Sequence, residues 1–254
     1  MSAELNDMGN RLFRLGRLSE ALSCYQQALE WDRRQQSPHA IAATLGNLAN
    51  VYASLARVEH ALESYREVLG IYRALGNSLG IGRTLANLGS LHADRGELDR
   101  ARAYYLEAMD LLAQLRDDPG LAMVHGNLGL MMRDQGGLIE AVSHLEQALA
   151  LHRRIGDRDG MARTFNAIGK TYLLMGQTEA ARAACATALD MYRYHEDELG
   201  MAAAWFNLAA IHETEGRLAD AAEMLRQVVR VDERYRLPKL VENRRRLEAI
   251  EARL

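Results

Sequence analysis

The chain of 254 residues has few of the residues that interrupt helices or cross-link loops. It contains three prolines and two cysteines, Cys24 and Cys185, which lie far apart in the sequence. A shortage of proline favours long helices, because proline removes a backbone donor and breaks a helix interior. Two distant cysteines give no indication of a disulfide framework or of an oxidising compartment.

Charge of one sign and long apolar runs are also missing. The formal net charge is −3, from 31 basic and 34 acidic residues, so the chain lacks the broad positive field that is typical of nucleic-acid binders. No apolar run approaches the roughly 20 residues that span a bilayer, and no signal peptide is visible at the amino terminus. We therefore predict a cytoplasmic protein with no nucleic-acid or membrane partner.

What the chain does contain is a repeat of forty residues. We call the residues at one position of these rows a column. One column is alanine in every row: Ala21, Ala61, Ala101, Ala141, Ala181 and Ala221. Another is glycine in all rows but the second, which has Ala56: Gly16, Gly96, Gly136, Gly176 and Gly216. A fixed period of this length is the signature of a solenoid.

Each row reads as two amphipathic helices. In the third row, apolar residues at helical spacing predict a first helix from about Ser78 to Asp94 and a second from about Leu98 to Arg116. Gly96 would end the first helix, because glycine readily adopts the left-handed conformation that follows many helices. Helix-capping side chains are predicted in one column, at Ser37, Asn77, Asp117, Asp157 and Asp197.

These columns resemble the tetratricopeptide repeat, a helix–turn–helix unit with small, aromatic and alanine positions. The second row supplies Leu48, Ala49, Tyr52, Ala56, Ala61, Tyr65 and Val68, and the third supplies Leu88, Gly89, His92, Gly96, Ala101, Tyr105 and Ala108. The period exceeds the usual 34 residues. It is similar to the 40-residue subclass of Pins/LGN proteins, kinesin light chains and bacterial regulators.

The resemblance implies an all-α, right-handed superhelical solenoid of six repeats. The approximate repeats are residues 2–41, 42–81, 82–121, 122–161, 162–201 and 202–241. A capping helix is predicted from about residue 238 through the segment 242–254, because a solenoid must close its apolar end. Its expected apolar face contains Leu240, Val241, Leu247, Ile250 and Leu254.

Catalytic and metal-binding patterns are missing. The chain has no C-x-x-C, no G-x-S-x-G and no glycine-rich phosphate loop. His92 and His212 stand in a column that is tyrosine in the second and fifth rows, at Tyr52 and Tyr172, so we interpret both as packing residues. We interpret Cys185 as a small buried hydrophobe. The sequence therefore predicts no enzyme, no metal site and no cofactor.

An asparagine column on the first helices is the main candidate for function. It contains Asn47, Asn87, Asn127 and Asn207, with Asn166 one residue early in the fifth row. Asparagine is less favourable than alanine in a helix by up to about 0.7 kcal/mol. In the resembling family this column lines the concave surface, where a carboxamide can donate to and accept from an extended peptide backbone. The alternative is that these amides bond between neighbouring repeats.

Further candidates follow from the register of that family. Asn50, Arg83, Arg163, Lys170 and Arg133 are expected on the same surface, where the cations could pair with carboxylates of a ligand. Solvated surface side chains are the alternative. The pattern does not reproduce the carboxylate clamp of chaperone-binding tetratricopeptide domains. Apolar side chains in later rows indicate either a ligand pocket or a self-association surface: Met123, Leu130, Leu173, Leu174 and Phe206.

The function predicted from the sequence is a protein-interaction scaffold that binds a peptide or partner segment in its concave surface. Two alternatives stay open. One is a regulatory module that senses a small peptide, and the other is a scaffold that assembles with itself as a homo-oligomer.

Overall fold

A computed structural model describes residues 1–254 and contains thirteen α-helices and no β-strand. The chain forms two compact units, unit 1 (Met1–Val124) and unit 2 (His125–Leu254). The helices of unit 1 are α1 (Ser2–Arg14), α2 (Leu18–Arg34), α3 (Pro38–Ser54), α4 (Val58–Ala74), α5 (Ser78–Asp94) and α6 (Leu98–Gln114). The boundary lies in α7 (Asp118–Asp134). Unit 2 continues with α8 (Leu138–Ile155), α9 (Arg158–Leu174), α10 (Thr178–Tyr194), α11 (Glu198–Thr214), α12 (Leu218–Tyr235) and α13 (Leu240–Glu251).

The short turns inside the helix pairs depend on the glycine column. Gly96 has φ +74° and follows α5, as predicted, and Gly136 reaches φ +82° after α7. Ala56 occupies the same column with φ 55°. A side chain in this left-handed region is strained, so at this turn the second row carries a cost that the glycines of the other rows avoid.

The predicted helix caps form in three rows. The side chains of Asn77, Asp157 and Asp197 accept hydrogen bonds from backbone N–H groups three residues later, at 2.9, 2.8 and 3.0 Å. Ser37 precedes α3, but its hydroxyl makes no capping bond, so that prediction was wrong. Pro38 stands in the first turn of α3, where its missing N–H is not needed.

Small residues let the two helices of a pair approach closely. All six alanines of the invariant column are completely buried: Ala21, Ala61, Ala101, Ala141, Ala181 and Ala221. A Cβ atom added to Gly89 would lie 2.7 Å from the ring of Tyr105, and one added to Gly129 would lie 2.7 Å from Leu145. The helix axes are therefore set by contacts that leave no room for one more carbon.

Within each unit, consecutive helices pack as antiparallel neighbours. In unit 1, α3 packs on α2 and α4, and it also contacts α1 and α5. In unit 2, α9 contacts α8, α10 and α11. First helices of neighbouring repeats therefore lie side by side within a unit, and this contact forms the surface on which the candidate site lies.

The last helix differs from its predicted form. It begins at Leu240, and its buried residues are Asn243, Leu247 and Ile250. Val241 and Leu254 were expected on the apolar face, but they are 60% and 66% exposed. The expected apolar face was therefore only partly correct.

A one-residue offset explains this difference. Asn243 donates to the buried carboxylate of Asp232 at 2.7 Å, eleven residues earlier. In the first two rows Thr44 donates to the buried Asp32 at 2.8 Å, twelve residues earlier. The last helix is thus one residue out of the forty-residue register, which turns a different set of side chains toward α12.

No helix in the structure has both the length and the hydrophobicity needed to cross a bilayer.

Candidate functional site

A pocket of about 270 Å³ lies on the first helices of unit 1. Its wall contains four of the predicted site residues, Asn47, Asn50, Asn87 and Arg83. Gly46 forms part of the floor, and a Cβ atom added there would meet nothing within 4 Å. We call this the Asn87 pocket. The sequence register therefore brings these four side chains to one open surface.

Asn47 takes part in a polar network between repeats. Its amide donates to the side-chain oxygen of Asn6 at 3.1 Å. Asn6 in turn donates to the hydroxyl of Thr44 at 2.9 Å, and Thr44 donates to Asp32. The Asn47 side chain is thus engaged inside the protein, as in the alternative stated above.

The same amide pair recurs in unit 2. Asn207 donates to the side-chain oxygen of Asn166 at 2.8 Å, and Asn207 is 8% exposed. Both pairs join residues that are 41 positions apart. An asparagine of the main column therefore finds an internal partner where another asparagine stands 41 residues earlier.

Asn87 and Asn127 lack such a partner. The residues 41 positions before them are Gly46 and Ala86, which have no polar side-chain atoms. Neither Asn87 nor Asn127 makes a side-chain hydrogen bond within the chain, and both are partly exposed. Their carboxamide donors and acceptors are therefore not used within the chain.

Asn50 and Arg83 have internal partners. The hydroxyl of Tyr65 donates to the side-chain oxygen of Asn50 at 2.5 Å. The guanidinium of Arg83 makes two hydrogen bonds to Asp117, at 3.0 and 2.9 Å, in a bidentate ion pair. The Asp117 side chain is 10% exposed, so this pair ties α5 to the start of the next repeat.

The cations of unit 2 fall into two groups. Arg133 pairs with Asp134 at 2.8 Å, and its side chain is 11% exposed. Arg163 and Lys170, both exposed on α9, make no hydrogen bond or ion pair within the chain. Partial burial lowers the pKa of the Lys170 ammonium. The positive charges of Arg133 and Lys239 lower this pKa further, and the Asp134 carboxylate opposes them.

A second pocket, of about 440 Å³, lies on the first helices of unit 2. Asn166 and Lys170 on α9, Phe206 and Asn207 on α11, and Lys239 before α13 form part of its wall. We call this the Lys170 pocket. Its wall combines amide and ammonium groups and the Asp232 carboxylate with apolar surface, a composition suited to a ligand that carries both polar and apolar groups.

The histidines and Cys185 take positions in the helix packing. His92 is 7% exposed, stacks on Tyr104 with ring centroids 5.2 Å apart, and contacts the Glu97 carboxylate at 2.7 Å. Burial raises the pKa of the Cys185 thiol to about 12. A thiol with so high a pKa is a poor nucleophile near neutral pH.

The structure also assigns roles to residues that the sequence interpretation overlooked. Asn6 accepts the bond from Asn47, and Lys239 lies in the Lys170 pocket. Two signals were present in the sequence. Asparagines 41 residues apart occur in two places, and Lys170 and Lys239 are the only two lysines of the chain.

A family model for the tetratricopeptide repeat matches the chain in five overlapping segments. The matched residues are 1–74, 41–114, 80–154, 120–193 and 160–234. The chain belongs to the tetratricopeptide repeat family. This confirms the resemblance that the packing columns indicated, and it confirms the all-α fold class.

Several solved structures are similar to this chain in fold. The chain is 19% identical to BtubC (BKLC) from P. vanneervenii, with a TM-score of 0.70 over 87% of this chain and 92% of that one. It is 17% identical to a Rap protein complexed with competence and sporulation factor, with a TM-score of 0.72 over 98% of this chain and 74% of that one.

A third similar structure is a signal-transduction ATPase with a tetratricopeptide repeat sensor, from Pyrococcus horikoshii. The identity is 15% and the TM-score 0.75, over 98% of this chain and 37% of that one. Identities this low show a shared fold alone. No curated protein matches the sequence.

Proposed function

We propose that this chain is an adaptor that binds an extended peptide or a segment of a partner protein on the first helices of its repeats. The observation that carries the proposal is the pair of unpartnered carboxamides of Asn87 and Asn127. Each stands on a first helix at a cost in helix propensity of up to about 0.7 kcal/mol relative to alanine. Neither recovers that cost through an internal hydrogen bond.

The chemistry of a carboxamide supports a backbone ligand. One amide can accept from an N–H group and donate to a C=O group of the same extended chain. The Asn87 pocket offers open space beside Asn87, because Gly46 has no side chain. The Tyr72 ring forms another part of the wall and provides an apolar surface. An extended peptide would gain both backbone bonds and an apolar contact there.

A regulatory peptide-sensing module is the second candidate. The similarity in fold to a Rap protein in complex with competence and sporulation factor, and to a tetratricopeptide repeat sensor of a signal-transduction ATPase, supports it. Both candidates require a peptide ligand. They differ in whether binding alters the conformation of a larger assembly.

Self-association is the third possibility. Leu174 is 56% exposed on α9, and Leu130 is 37% exposed on α7. Light scattering over a range of concentrations tests it directly. A scattering mass that grows with concentration would favour a self-assembling scaffold over an adaptor.

Selection from a random peptide display library tests the adaptor proposal. The full chain serves as bait, and the affinities of enriched peptides are then measured for the wild type and for the Asn87→Ala and Asn127→Ala variants. We expect a loss of roughly 1–3 kcal/mol in binding, since a ligand group loses its hydrogen-bond partner.

The control variant is Gln147→Ala, at an exposed position on a second helix. It should leave the affinity unchanged. Failure to enrich any peptide, or enriched peptides that bind both asparagine variants as tightly as the wild type, would contradict the proposal.

The expectation of a cytoplasmic location stays a prediction.

A further inference from the structure

The face of α9 presents three hydrogen-bond donors that have no acceptor within the chain. Arg163 and Lys170 form no ion pair, and the amide N–H groups of Asn166 donate to nothing. These residues are three and four positions apart, which places them on one face of the helix. Arg163 and Lys170 are seven positions apart, which corresponds to about 10 Å along the helix, close to the length of three residues in an extended chain.

Comparison with unit 1 shows that Asn166 lacks one of the acceptors that its counterpart Asn6 uses. Asn6 stands in the same column as Asn166, and its N–H groups donate to the hydroxyl of Thr44 and to the backbone oxygen of Ser2. In unit 2 the column of Thr44 is filled by Ala204, which has no acceptor. The acceptor missing at this position can come from a ligand.

A fourth donor faces the same pocket from another element. Lys239 lies in the turn before α13 and lines the Lys170 pocket, and it has no acidic partner within the chain. The two ammonium groups repel one another, and the Asp232 carboxylate of the same pocket already accepts a hydrogen bond from Asn243. A ligand that brings negative charge would relieve this repulsion.

The nearby carboxylates are already engaged. Asp134 pairs with Arg133 at 2.8 Å, Asp232 accepts from Asn243 at 2.7 Å, and Asp197 caps α11. Asp159 lies 3.9 Å from His195. None of these acids makes an ion pair with Arg163, Lys170 or Lys239. Asp134 stabilises the Lys170 ammonium through space, and Asp232 lines the Lys170 pocket, so the positive charge of the surface is only partly compensated.

We propose that unit 2 binds an acidic segment of a partner protein, which runs along α9 with its carboxylates on Arg163, Lys170 and Lys239. The Asn166 amide donates to the segment between these cations. Phe206, on the pocket wall, packs against an apolar residue of the same segment. This inference rests on the proposed function and adds the chemical class of the partner.

The test uses three short peptides and fluorescence anisotropy on the full chain. The probe is an acetylated and amidated peptide rich in glutamate with one leucine. The first comparison peptide has glutamine in place of every glutamate. The second is this glutamine peptide with a free carboxyl terminus. A short single-stranded oligonucleotide serves as a competing polyanion.

We expect the glutamate peptide to bind and the glutamine peptide not to bind, with affinity falling as ionic strength rises. Lys170→Met, Lys239→Met and Arg163→Met should each raise the Kd by about threefold to fivefold, the range of a partly exposed ion pair. Arg230→Met removes an exposed cation of α12, outside this cluster, and should change nothing.

Three results would overturn the inference. The first is that the glutamine peptide binds as tightly as the glutamate peptide. The second is that the glutamine peptide with a free carboxyl terminus binds as tightly as the glutamate peptide. The third is that the oligonucleotide binds more tightly than the glutamate peptide. If the glutamate peptide fails but library-selected neutral peptides bind through Asn87, the acidic preference is wrong and the adaptor proposal stands. If no peptide of any kind binds, both fail.

Discussion

Asn207 donates a hydrogen bond to Asn166 at 2.8 Å, which joins two first helices of unit 2 through their side-chain amides. Asn47 and Asn6 make the same contact at 3.1 Å in unit 1. Asparagines of one column therefore have two roles. Some of them connect neighbouring repeats, and the others keep an unused carboxamide on the surface.

The connecting role predicts a measurable coupling. Asn166→Ala, Asn207→Ala and the double variant form a cycle, and urea unfolding gives the free energy of each. We expect a coupling of about 1 kcal/mol, since one partner alone leaves a buried amide unsatisfied. Strictly additive losses would show that the hydrogen bond contributes nothing to stability.

Close packing at Gly89 gives a second prediction. In Gly89→Ala the new methyl group would lie 2.7 Å from Tyr105, so we expect a loss of about 1–3 kcal/mol in unfolding free energy. Gly46→Ala is the matched control, because nothing lies within 4 Å of the new atom. The control should gain up to about 1 kcal/mol, since alanine is the better helix former. Equal effects at the two sites would disprove the close approach.

The left-handed backbone at Ala56 gives a third prediction. Ala56→Gly removes side-chain strain of about 1–2 kcal/mol at φ 55°, against an entropic cost of about 0.5–1 kcal/mol for glycine. We expect a net gain of up to about 1 kcal/mol in thermal or urea unfolding. Ala53→Gly, inside α3, should instead destabilise by about 1 kcal/mol. A loss of stability at both positions would contradict the strain at Ala56.

Burial of Cys185 predicts a loss of stability in alkaline solution. Its pKa is about 12 in the folded chain because burial disfavours the thiolate, against about 8.5 in an unfolded chain. Between these values the unfolded state releases a proton that the folded state retains. The stabilising contribution is therefore complete below about pH 8.5 and declines as the pH rises toward 12.

Unfolding free energies of the wild type and Cys185→Ala at pH 8.5 and 10 measure this contribution. The wild type should lose about 1–2 kcal/mol more than the variant over this range. Tyr25 and Tyr105, whose pKa values burial raises to about 12, contribute mainly above pH 10 and are common to both proteins. Parallel pH profiles would show that the thiol is accessible to solvent.

The fold could be predicted from the sequence because the residues that recur in each row are the ones that pack the helices and form the turns. Glycine at Gly96 and small residues such as Gly89 and Ala101 are required by local geometry, and that geometry is the same in most rows. The last helix was predicted less well. This helix is shifted by one residue relative to the forty-residue register, and its sequence remains amphipathic. As a result Asn243 is buried, whereas Val241, which was expected to be buried, is exposed.

The candidate site was only partly readable because hydrogen bonds between repeats depend on pairs of columns. A single column groups Asn47 with Asn87, although only Asn47 has an asparagine 41 residues earlier. The ion pair of Arg83 with Asp117 could not be predicted from a single column for the same reason, since Asp117 stands 34 residues after Arg83. Comparing residues a fixed number of positions apart, such as 34 or 41, distinguishes the side chains that bond between repeats from those that have no partner within the chain.

The central claim is tested most directly by measuring stability and peptide affinity on the same two variants, Asn47→Ala and Asn87→Ala. We expect Asn47→Ala to lower the unfolding free energy by about 1 kcal/mol, because Asn6 loses its partner. Asn87→Ala should leave stability unchanged or slightly higher, yet weaken a library-selected peptide by roughly 1–3 kcal/mol. If Asn87→Ala destabilises the fold and the folded protein still binds the peptide as tightly as the wild type, Asn87 is a structural residue and the site assignment is wrong.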